Sequence, residues 1–65
     1  MGNIILIELI RELDVINGIL MDTQNVVHRN YLLALRLNTL SSIWAIEPDF
    51  NATKGEAIIK AYGNN

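Results

Sequence analysis

The chain has 65 residues, 51% of them hydrophobic and 18% charged, with a net charge of −2 and no cysteine. That length allows one domain, residues 1–65, and the missing cysteine excludes disulfides and thiolate-bound zinc or iron–sulfur centres. The acidic balance argues against a general electrostatic nucleic-acid binder, which presents a strongly basic face.

A chain this short buries only about 60% of its unfolded surface and is marginal alone. Burial and chain entropy nearly cancel at this size, so a further source of stability is expected. Charged residues fall below the usual share of about 25%, and with the hydrophobic excess they point to oligomerisation as that source. The first residues carry no basic region ahead of an apolar core, so no secretory signal is expected. Met1-Gly2 invites myristoylation, but Leu6 stands where Ser or Thr is needed. A cytoplasmic location is the expectation.

In chain order, Asn3 is a candidate N-cap for a first helix over about 4–21. Leu6, Leu9, Leu13, Ile16 and Leu20 repeat at spacings of 3 and 4, a heptad seam widened by Ile10 and Met21. A strand over IILIELI would mix Ile4, Leu6 and Ile10 with Glu8, Glu12 and Asp14 on one face. A helix instead gathers Glu8, Arg11, Glu12 and Asp14 away from the seam. Ile4, Val15 and Ile19 form a thinner apolar stripe among those charges, and an aligned exposed set suggests a contact surface.

Asp22-Thr23-Gln24-Asn25 has no apolar residue and offers three N-cap types, which places a turn here. The competing reading is one unbroken helix from Ile4 to Ile46, against which Gly18 counts by about 1 kcal/mol.

The second helix is expected over about 25–46 and is the longest helix-compatible stretch. Val26, Asn30, Leu33, Leu37, Leu40 and Trp44 follow at 4, 3, 4, 3 and 4, a second seam with Asn30 its one polar member. In coiled coils such an Asn fixes register and partner number at a cost in stability. Val27, Tyr31, Ala34 and Ala45 lie beside the seam and Leu32, Leu35, Ile43 and Ile46 behind it. A helix apolar nearly all round is expected in the middle of the molecule, covered on nearly all sides. Arg29, Arg36, Asn38 and Ser41-Ser42 interrupt it too often for a membrane span.

Folded as an antiparallel hairpin, the chain sets Arg36 within reach of Glu8 and Glu12, Arg29 near Gly18 and Asp22, and Asn17 opposite Asn30. Pro48 ends the second helix, with Phe50 folding back near Trp44. Thr53-Lys54-Gly55-Glu56 reads as a capping box for a third helix over about 54–62, with Gly63 just beyond it. That helix shows an apolar face of Ile58, Ile59 and Tyr62 and an i,i+4 pair, Glu56 with Lys60.

No catalytic, cofactor or metal constellation is expected. His28 is the one histidine and lacks ligand company. Ser41 and Ser42 have no histidine near in sequence. Glu8, Glu12 and Asp14 lack the Glu-x-x-His spacing of carboxylate metal sites. Asn51-Ala52-Thr53 matches a glycosylation acceptor but reads better as the approach to a helix cap. Gly55 belongs to no phosphate loop.

The expectation is therefore an all-α protein: an antiparallel helical hairpin plus a short C-terminal helix, forming a helix-bundle oligomer. It is expected to be no enzyme but an assembly, adaptor or regulatory subunit, binding copies of itself or a protein partner through Ile4, Val15, Ile19, Val26, Asn30, Leu33, Leu37, Leu40 and Trp44. No cofactor, small-molecule substrate or transmembrane segment is expected. The alternative is a DNA-associated transcription regulator using Arg29 and Arg36 on the central helix, although nucleic acid is the less favoured partner.

Overall fold

The structure, a computed structural model, describes residues 3–62, with the side chains of residues 4–61. It contains three helices, α1 (Asn3–Asp22), α2 (Val26–Ile46) and α3 (Ala52–Tyr62), and no strand among the described residues. The cap expected at Asn3, the Tyr62 side chain and the stop at Gly63 lie outside the described side chains and residues.

The chain turns at 23–25, so α1 and α2 form a hairpin, and the single continuous helix is ruled out. The reason is local. Asn25 sits in extended backbone (φ −68°, ψ 124°) and its Oδ1 accepts the His28 N–H at 3.1 Å, starting α2 afresh. Thr23, expected as an alternative N-cap, instead closes α1 by donating its hydroxyl to the Ile19 carbonyl at 2.7 Å. No glycine is available to end α1. Arg29 reaches back from α2 and donates to the carbonyls of Leu20 (2.9 Å) and Thr23 (3.0 Å), placing a cation at a helix end that otherwise carries only Asp22.

The core lies along α1. Leu6, Ile10, Leu13, Ile16 and Leu20 are buried in the expected seam and Ile7 beside it, while Met21, expected to widen the seam, is 87% exposed. Many of these residues are isoleucine, a middling helix former, so burial and not propensity fixes the helix. Ile43 of α2 (0% exposed) and Phe50 complete the cluster, with Leu40, Ile58 and Ile59 packed against it.

The middle position belongs to α1 and not to α2. Both α2 and α3 pack on α1, and their backbones make no close approach to each other. Only Thr39 and Ile43 of α2 are buried. The expectation that α2 is covered on nearly all sides is overturned within the single chain, because two helices cannot enclose a third of 21 residues.

Beyond α2, Pro48 and Asp49 make a turn in which the Phe50 N–H donates to the Glu47 carbonyl at 3.0 Å, with proline at its favoured second position. This brings Phe50 back into the core, and the Trp44 indole N–H donates to its carbonyl at 3.2 Å.

α3 starts two residues earlier than expected. Its N-cap is Asn51, whose Oδ1 accepts the Lys54 N–H at 2.9 Å, so the Thr53–Glu56 capping box is not formed. Starting at Asn51 puts Gly55 inside the first turn and under the Phe50 ring: a Cβ at Gly55 would stand 2.9 Å from Phe50 Cζ and 3.8 Å from Ile10 Cγ2. Only a glycine lets α3 come this close. Glu56 and Lys60 form no ion pair; Lys54 pairs instead with Glu47 at 3.4 Å.

Candidate interaction surface

The face of α2 that meets α1 is not its heptad seam. Leu32, Leu35, Arg36, Thr39 and Ile43 recur at helical spacing and are buried or half-buried. The seam of Val26, Asn30, Leu33, Leu37, Leu40 and Trp44 runs roughly a third of the way around the helix from them.

The polar members of the α1-facing line explain how it is tolerated. Thr39, 4% exposed, shares its hydroxyl proton between the Leu35 carbonyl (3.0 Å) and Glu12 Oε2 (3.4 Å). Back-bonding of this kind satisfies a hydroxyl inside a helix. Arg36 donates to Asn17 Oδ1 at 3.5 Å. The expected pairings are thereby corrected. Arg36 meets an amide and not Glu8 or Glu12, Asn17 serves Arg36 and not Asn30, and the two helices pair about one turn closer to the loop. No buried side-chain nitrogen or oxygen is left without a partner among the described residues.

The seam itself points outward. Val26 is 69% exposed, Leu37 59% and Trp44 42%; Leu33 and Asn30 are also exposed, and Leu40 is half-buried. At its Trp44 end the seam opens into a groove between α2 and α3. Ile10 and Leu13 of α1 form its floor, Leu40, Trp44 and Ile59 its walls, and Asp14, Arg36, Glu56 and Lys60 its charged rim. The groove follows from the packing described above, since the backbones of α2 and α3 lean on α1 without closely approaching each other.

A second apolar strip lies on the far side of α1. Ile4, Val15 and Ile19 are exposed there, joined by Ile5, which sequence spacing did not single out. They alternate with Glu8, Arg11 and Glu12 around a shallow depression, where Arg11 and Glu8 stand 3.8 Å apart. The structure thus brings Val26, Asn30, Leu33, Leu37, Leu40 and Trp44 onto one face and leaves Ile4, Val15 and Ile19 on another.

The residues weighed for phosphate contact are engaged inside the chain, Arg29 on the α1 carbonyls and Arg36 on Asn17. His28 is exposed in the first turn of α2. Among the described residues no three His, Cys, Asp or Glu side chains gather as a metal site would need, and no helix is long and apolar enough to cross a membrane. Thr39 went unnoticed in the sequence. Its signal was its position on the line through Leu32, Leu35 and Ile43, four residues after a carbonyl it can bond. Compared with known proteins, the chain matches no family model, and no curated protein or solved structure is significantly similar to it.

Proposed function

We propose that this chain is a small helical interaction protein that self-associates and serves as an assembly, adaptor or regulatory subunit, with no chemistry of its own. The observation that carries this reading is the row of large apolar side chains at heptad spacing along α2, of which Val26, Leu33, Leu37 and Trp44 stay exposed outside the chain's own core. Scattered exposed apolar residues are ordinary, but a contiguous row at coiled-coil spacing matches what a second helix would cover. The absence of charge from the row favours a protein surface over phosphate as its partner, and the internal engagement of Arg29 and Arg36 supports the same choice.

Light scattering coupled to gel filtration over a range of concentrations tests the proposal. A mass above the 7.3 kDa of one chain that falls on dilution is expected. Trp44 is the one tryptophan, so its emission should move to the red as dilution exposes the seam. A 7.3 kDa species at every concentration, with a cooperative thermal transition, overturns self-association.

A further inference from the structure

We infer that the Asn17-Gly18 pair in α1 is a site of spontaneous covalent modification gated by the fold. Intact α1 keeps the Asn17 amide from the Gly18 nitrogen, and opening of α1 lets the two cyclise with loss of ammonia.

The chemistry follows from one missing side chain. Asparagine is among the thermally labile residues, because the next backbone nitrogen can attack its side-chain carbonyl carbon. A Cβ on that next residue screens the nitrogen, as Val26, Tyr31 and Thr39 do after Asn25, Asn30 and Asn38. Gly18 is the one glycine that follows an asparagine. It is exposed, and a Cβ there would meet nothing within 4 Å.

Within α1 the attack is blocked. Helical backbone with ψ of about −42° turns the Gly18 nitrogen away from Asn17 Cγ, and the helical ladder occupies its N–H. Arg36 adds a restraint by donating to Asn17 Oδ1 at 3.5 Å. These restraints lapse together when α1 opens towards its end at Asp22, and Gly18 itself weakens the helix there.

In the open chain the Gly18 nitrogen loses its proton and bonds to Asn17 Cγ. The Cγ–Nδ2 bond breaks, and ammonia leaves with that proton. A cyclic imide remains, and water opens it at either carbonyl to give aspartate or isoaspartate. Aspartate keeps the backbone and sets a carboxylate opposite Arg36, with Asp14 one turn away. It thereby adds negative charge to the groove that all three residues line. Isoaspartate lengthens the backbone inside α1, which breaks the helical register ahead of the buried Leu20.

The test holds the full chain in warm, mildly alkaline buffer, folded or in urea, and locates the heavier product by proteolysis and mass spectrometry. In urea Asn17 should convert before any other asparagine. In the folded chain it should convert at least about tenfold more slowly, by a factor set by how often α1 opens. G18A supplies the screening Cβ and should suppress conversion at Asn17 in urea as well as in the folded chain. Equal rates in the folded chain and in urea overturn the gating. Earlier conversion of another asparagine in urea, or a G18A chain that converts as fast as the wild type there, overturns the site.

Discussion

α1 and α2 carry the same kind of message, apolar residues at alternating spacings of 3 and 4, and the fold treats them differently. The seam of α1 is consumed inside the chain, because two neighbours lie on it. The seam of α2 is left over, because its single neighbour takes the adjacent line through Leu32, Thr39 and Ile43. Heptad spacing thus announces that a helix face will be covered without saying by what. A 65-residue chain has enough helix to cover one such face well, and the second is left exposed.

The largest effect that sharpens this contrast lies within α2. Ile43→Ala removes a side chain with no exposure and should cost about 2–5 kcal/mol, enough to unfold much of a marginal domain. Leu37→Ala, six residues earlier and 59% exposed, should change the unfolding free energy of dilute protein by no more than about 0.5 kcal/mol. Its effect should grow with protein concentration as the seam becomes covered. Equal costs for both variants in dilute protein would erase the distinction between the two lines.

A smaller effect probes the second neighbour of α1. Gly55→Ala sets a methyl group 2.9 Å from the Phe50 ring and should destabilise by about 1–3 kcal/mol, minus the helix preference of alanine. Unchanged urea unfolding would mean that α3 does not approach α1 as closely as described. Next is the cap of α3. Asn51→Ala should cost about 1 kcal/mol, whereas Thr53→Ala, whose hydroxyl caps nothing here, should be close to neutral. The reverse ranking would restore the capping box.

The smallest effect has the opposite sign. Gly18 lies on the exposed side of α1, and a Cβ there meets nothing within 4 Å. Gly18→Ala should raise stability by about 0.5–1 kcal/mol, read as a higher melting temperature. A loss of stability would show that the outer face of α1 is not open.

Much of this fold was legible in the sequence. The burial of Leu6, Leu13, Ile16 and Leu20, the turn before Val26, the stop at Pro48 and the return of Phe50 each followed from spacing or from one residue's backbone chemistry. What escaped was competition between similar signals. The Val26–Trp44 line outscored the line α1 actually takes, since the latter contains Arg36 and Thr39, whose polarity disguises a core position. Thr39 hides its hydroxyl on the Leu35 carbonyl and Arg36 turns its head to Asn17, which no count of apolar residues detects. Likewise, Thr53-x-x-Glu56 is the tidier cap motif, but Asn51 is an equally good cap, and α3 begins from it with Gly55 set against the Phe50 ring.

The attachment of α3 has a consequence for how the molecule breathes. It rests on one helix, joined to the rest by the short Glu47–Asn51 connection and fastened around Gly55. Releasing it uncovers Ile58, Ile59, the Phe50 ring and the part of the α1 core around Ile10, while the α1–α2 pair keeps its own contacts. Partial opening at such a unit needs less free energy than global unfolding. Backbone amides of α3 should therefore exchange with deuterated water well before those of α1, through a state in which the groove has lost one wall and the hairpin is intact.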